Sequence, residues 1–170
     1  MYKGLIKNMC GATVLVMMMA VSPLSAQNTG LIAIQGVSPY MGTEAIADGQ
    51  FILGMKMDVG SLPVLPLRII PEMATSIGNS DASMVLALSA QLQFIRIKLG
   101  QNSKLVTHAR AGVGSLWSQG TDNLRATINF AYGITLTPTA NPENARVFVE
   151  HQGIDKFKTH RILIGLTWGR

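Results

Sequence analysis

The stretch that decides the fold is Arg161-Ile162-Leu163-Ile164-Gly165-Leu166-Thr167-Trp168, close to the C-terminus. Ile162, Ile164, Leu166 and Trp168 fall on one phase of a two-residue period; Arg161, Leu163, Gly165 and Thr167 fall on the other. Successive side chains of a strand point to opposite faces, so the segment predicts a β-strand with one apolar and one mixed face.

The same period recurs upstream. In 126–136, Ile128, Phe130, Tyr132, Ile134 and Leu136 oppose Thr127, Asn129, Ala131, Gly133 and Thr135. In 84–94, Leu86, Leu88, Ala90, Leu92 and Phe94 oppose Ala87, Ser89, Gln91 and Gln93. In 51–58, Phe51, Leu53, Met55 and Met57 oppose Gly54, Lys56 and Asp58. In 67–73, Leu67, Ile69, Pro71 and Met73 oppose Arg68, Ile70 and Glu72. Two further segments carry a weaker alternation. In 105–117, Arg110, Gly112 and Gly114 oppose Ala109, Ala111, Val113 and Trp117; in 145–152, Val147, Val149 and His151 oppose Arg146, Phe148, Glu150 and Gln152. An eighth strand is expected over 30–37, which is apolar without a clear phase.

Turn residues separate these segments, among them a piece running from Ser38-Pro39-Tyr40 to Asp48-Gly49, then Gly78-Asn79-Ser80-Asp81 and Gly100-Gln101-Asn102-Ser103. Punctuation roughly every 15–20 residues suits long strands joined by short loops. The count is about eight strands of some ten residues, the length a tilted strand needs to cross a bilayer. The expected fold is all-β, an up-and-down antiparallel barrel.

The 170 residues suit a single domain. Hydrophobic residues make up 48 % and mean hydropathy is +0.29. Even so, no stretch beyond Ala26 stays apolar for the roughly 18 residues of a membrane helix. Residues 1–26 read as a signal peptide. Lys3 and Lys7 form a basic start, 11–21 is apolar apart from Thr13, Ser22-Pro23 breaks the run, and Leu24-Ser25-Ala26 is the cleavage signal. The run is short for an uncleaved anchor. Cys10, the single cysteine, leaves with that segment and follows Lys7-Asn8-Met9, which is not a lipoprotein box. The mature chain 27–170 therefore has no disulfide, thiolate nucleophile or cysteine metal site. Without Lys3 and Lys7 the 14 basic residues become 12, against 9 acidic ones. They are scattered, with no aromatic interleaving, so no nucleic-acid partner is expected.

A soluble calyx and a membrane barrel put their charges on opposite sides, outward in the first and inward in the second. Here the polar phase mixes charges with small residues such as Gly54, Gly112, Gly114, Gly133, Gly165, Ala87 and Ala131. A narrow lumen has use for that mixture, because small residues make room for long charged ones. The polar face is accordingly expected inside. Lys56, Asp58, Arg68, Glu72, Arg110, Arg146, Glu150 and Arg161 are expected to form one connected structural network in the lumen. An unpaired buried ion costs several kcal/mol, so the acidic members should pair with basic ones.

With these strands in place, the chain resembles the OmpA/OmpX-like eight-stranded outer-membrane β-barrel family over most of its mature length. The carriers are Leu67-Arg68-Ile69-Ile70-Pro71-Glu72, Ala109-Arg110-Ala111-Gly112-Val113-Gly114, Arg146-Val147-Phe148-Val149-Glu150 and the closing Ile164-Gly165-Leu166-Thr167-Trp168. The last is similar to the family's C-terminal targeting signal, from which it departs by finishing Gly169-Arg170. The resemblance implies the outer membrane of a Gram-negative-type bacterium, with both mature termini on the periplasmic side. It further implies a monomer surrounded by outer-membrane lipid, with the barrel-assembly machinery and periplasmic chaperones as partners in biogenesis.

Chemistry is sparsely represented. A barrel resembling the lipid A deacylases would carry a His-x-Ser stretch on its outer wall, whereas this chain has His151-Gln152-Gly153. Glu150 points away from His151 on the strand, so the two form no local dyad. His151 reads as an interfacial residue at a strand end, and His108 as part of the polar interior. No serine has a base in an evident pairing. Asn79, Asp81, Asp122 and Asn123 lie in loops without the spacing of an EF-hand, so no metal or other cofactor is expected. Trp117, Phe130, Tyr132 and Trp168 read as girdle and band residues. At about eight strands the lumen is filled by side chains, which argues against a pore. The expected function is a non-catalytic structural or surface-exposed outer-membrane component. The alternatives are a secreted calyx for a small apolar ligand and an outer-membrane lipid-modifying enzyme.

Overall fold

A computed structural model describes residues 34–44, 49–61, 66–78, 82–119, 123–138 and 145–169. They form eight strands: β1 (Gly36–Glu44), β2 (Phe51–Asp58), β3 (Leu67–Ile77), β4 (Ser83–Leu99), β5 (Ser103–Ser118), β6 (Asn123–Pro138), β7 (Arg146–Ile154) and β8 (Thr159–Gly169). Each strand pairs antiparallel with the next, and β8 returns to β1, so the sheet closes into a barrel. Closure leaves no sheet edge within the wall, the condition for strands to stand in lipid. In the seven segments with a predicted phase, the polar phase is the more buried one and lies on the inside. The signal-peptide assignment, 1–26, lies outside the described residues.

The first strand needs correction. The apolar run 30–37 was expected to supply it and 38–49 to be a turn; β1 instead spans Gly36–Glu44, and residues 30–33 lie outside the described residues. Ser38-Pro39 reads as a turn because proline has no N–H for a ladder. The barrel accommodates it by interrupting the β1–β8 ladder, which pairs Val37 with Trp168 and resumes at Tyr40 with Gly165. Across the interruption the Ser38 and Thr167 hydroxyls hydrogen-bond at 2.8 Å. The correction brings Tyr40 into the lumen.

Glycine placement explains how a narrow barrel holds aromatic rings. Gly54, Tyr40, Gly165 and Phe148 stand side by side on β2, β1, β8 and β7. A Cβ on Gly165 would lie 2.6 Å from the Phe148 ring, and one on Gly54 would collide with the Tyr40 ring. The two rings meet edge to face, 6.4 Å between centroids.

The lumen is not polar along its whole length. Toward the rim that carries the β1–β2 and β7–β8 connections, Ile52, Ala74, Val85, Leu163 and Ile154 form a buried apolar layer. Outside, Leu88, Val113, Tyr132, Ile162 and Ile164 are each at least half exposed. The wall is apolar where it is exposed, and much of what it encloses is charged.

Candidate functional site

The centre of the lumen is built by four charged side chains from four strands. Lys56 on β2 sits directly opposite Glu72 on β3 in the ladder. Its Nζ nevertheless crosses the lumen to Glu150 Oε1 on β7, at 2.6 Å. Arg110 on β5 lies between the two carboxylates. Its Nη1 donates to Glu72 Oε2 at 2.5 Å, and its Nη2 to Glu150 Oε1 at 2.6 Å. Nε contacts both Glu150 oxygens at 3.2 and 3.3 Å. Bidentate guanidinium–carboxylate contacts of this kind are strong and directional.

Further polar groups complete the cluster. Tyr40 donates to Glu72 Oε1 at 2.5 Å, and Gln152 Nε2 to Glu72 Oε2 at 3.0 Å. His108 Nε2 lies 3.1 Å from Glu150 Oε2, and its Nδ1 lies 3.4 Å from the Thr135 hydroxyl. The Lys56 ammonium also sits over the Phe148 and Tyr40 rings, 4.5 and 4.9 Å from their centroids. Two cations thus face two carboxylates, and the charged side chains are almost wholly shielded, at most 7 % exposed.

The eight residues expected in one network are separated by the structure into a centre and outlying pairs. Asp58 is ion-paired with Arg68 near the rim that carries the chain ends. Arg146 donates from Nη2 to the carbonyl oxygen of Gly169 at 2.5 Å. Arg161 lies beyond the apolar layer, its Nη2 3.9 Å from Glu44 Oε2. Arg161 makes no ion pair with Glu72 or Glu150; its ladder neighbour Gln152 is the residue that reaches Glu72. A cavity of about 60 Å³ between centre and chain-end rim is lined by Lys56, Asp58, Arg68, His108, Arg146 and Glu150 among others. It has room for a few waters. Among the described residues no three His, Cys, Asp or Glu side chains are placed to hold a metal ion.

Sequence reasoning missed Tyr40 and Glu44 because both fall in the segment taken as a turn. Gln152 shares the phase of Glu150, and that phase could have nominated it. His108 stands on the inner face as expected and touches Glu150 directly.

The outer wall carries a second cluster. His151 Nε2 lies 3.1 Å from His160 Nδ1, and Tyr132 packs against His151 with centroids 5.0 Å apart. Phe157 stacks on Phe130 at 5.5 Å. The turn that delivers Phe157 has left-handed backbone at Asp155, Lys156 and Phe157, with φ of 52°, 59° and 66°. A Cβ on Gly153 would lie 2.6 Å from Phe157 Cε1, so glycine there lets the ring lie on the wall.

The sequence matches no protein-family model and no curated protein. Solved structures do match the fold. The outer membrane enzyme PagL is 14 % identical with a TM-score of 0.51, over 79 % of this chain and 99 % of that one. Neisserial surface protein A is 10 % identical with a TM-score of 0.50, over 79 % of this chain and 94 % of that one. The chain has the closed eight-stranded antiparallel fold of the small outer-membrane barrels.

Proposed function

We propose that the protein is a non-catalytic barrel of the bacterial outer membrane, a structural or surface-exposed component whose lumen is occupied by its own side chains. The observation that carries this reading is the inverted distribution of polarity: Lys56, Glu72, Arg110 and Glu150 are buried inside the wall, and leucines, isoleucines and aromatics are exposed outside it. In water such a surface would aggregate; in lipid it is the stable arrangement. The central ion pairs and the apolar layer above them oppose a continuous aqueous path. Cell fractionation with gel mobility tests the reading. Outer-membrane enrichment and a band that migrates differently before and after boiling are expected. A detergent-free soluble fraction would favour the calyx.

A second reading, an enzyme acting on lipid, has the outer-wall imidazoles in its favour, since PagL is an outer membrane enzyme of the same fold. Against it, the hydrogen bond that His151 and His160 make is to each other, and Gly153 is the next residue of β7 on that face. No nucleophile is bonded to either ring among the described residues. If hydrolase activity on lipid is found, His151→Ala decides whether that cluster carries it.

A further inference from the structure

We propose that the edge of β4 at the rim carrying both chain ends, unpaired among the described residues, docks an extended acidic segment of a partner protein as an added strand. β3 stops pairing with β4 at Leu92, yet β4 runs on to Leu99 and turns through 100–102 into β5. β5 pairs with it from Ser103 onward, and β6 lines β5 down to Pro138. The hairpin therefore projects past the rim at which β1 begins and β8 ends. Along 94–99 the outer edge of β4 has no ladder partner among the described residues. Such an edge presents unpaired N–H and C=O groups, the template for strand addition.

The side chains along this edge select the occupant. After a bulge between Gln93 and Ile95, Arg96 pairs with Val106 and Lys98 with Lys104, on the phase of His108 and Arg110. Ile95, Ile97 and Leu99 take the outer phase with Leu105 and Thr107. Lys98 and Lys104 are thus a like-charged cross-strand pair with Arg96 beside them, an arrangement that destabilises a sheet left to itself. None of the ion pairs among the described residues involves these three cations. A second copy of the chain is a poor partner, because two β4 edges would oppose Arg96 and Lys98 to each other. An acidic strand fits both features. Its carboxylates meet Arg96 and Lys98, and its alternate apolar residues extend the row of Phe94, Ile95, Ile97 and Leu99, which are 47–55 % exposed.

The test uses the purified mature barrel in detergent micelles and in lipid nanodiscs, with a short fluorescent peptide alternating valine and glutamate. Fluorescence anisotropy is expected to show saturable binding that weakens with salt. The double variant Arg96→Glu, Lys98→Glu should weaken it at least about tenfold, equivalent to roughly 1.4 kcal/mol. Its boiling-dependent gel shift should stay intact, which shows that the barrel still folds. Methylating the amides along one edge of the peptide should abolish binding, and methylating the other edge should not. Equal binding of a valine–lysine peptide, or unchanged binding whichever edge is methylated, would overturn the proposal. A concentration-dependent dimer that occupies the edge would overturn it too. So would lipid quenching of a bimane at Ile97→Cys as strong as at Leu88→Cys with no peptide bound, because the hairpin would then be a bilayer contact.

Discussion

Glu150 is the residue on which the interior turns. It accepts from Lys56 and Arg110, and His108 sits against its other oxygen. Removing it leaves two shielded cations facing Glu72 alone. Glu150→Ala is expected to lower stability by about 3–5 kcal/mol, as for other broken buried pairs, measured by urea unfolding in detergent. Unchanged stability would show that the cations are compensated by solvent. Tyr40→Phe deletes a single hydrogen bond to a charged acceptor, and a smaller loss of about 1.5–3 kcal/mol follows. Gly54→Ala should cost about 1–3 kcal/mol for a different reason: its methyl displaces the Tyr40 ring, taking the phenol away from Glu72.

Among the elements, β8 shows most plainly how far alternation can be read. Its two phases became the two faces of the wall, with Leu163 fully buried in the lumen and Ile164 half exposed outside. Ile164→Arg is therefore expected to impair folding into bilayers, by about 2–4 kcal/mol if the residue stands near the midplane. Leu163→Ala instead opens a cavity inside the apolar layer and should cost about 2–5 kcal/mol, with insertion unaffected. Folding titrations into lipid vesicles separate the two. β1 was not legible in the same way. Its inward residues are Gly36, Ser38, Tyr40, Gly42 and Glu44, and its outward ones include Pro39 and Thr43, so neither phase is consistently apolar. Proline counted as a strand breaker, and only the closed sheet shows that the ladder skips it. The projecting part of β4 was also invisible, because a bulge shifts the phase at Gln93/Ile95 and breaks the alternation there.

For the molecule as a whole, the sequence indicated which charges face inward but not which of them meet. Phase along a strand says that Lys56 and Glu150 point into the lumen. That they touch across it, while Lys56 and its ladder neighbour Glu72 are bridged through Arg110, depends on closure, which sets the distance between β2 and β7. The pairing of Arg161 with Glu44 depends on the same closure, which sets the two opposite each other on β8 and β1. All of these contacts belong to one global arrangement, an apolar wall, proposed to face lipid, around a charged interior. The direct test is a scan of single cysteines along β8 from Ile162 to Trp168, labelled with bimane and quenched by brominated lipid in nanodiscs. Strong quenching at Ile162, Ile164 and Leu166 with weak quenching at Leu163 and Gly165 is the predicted result; uniform quenching, or the opposite alternation, would contradict it.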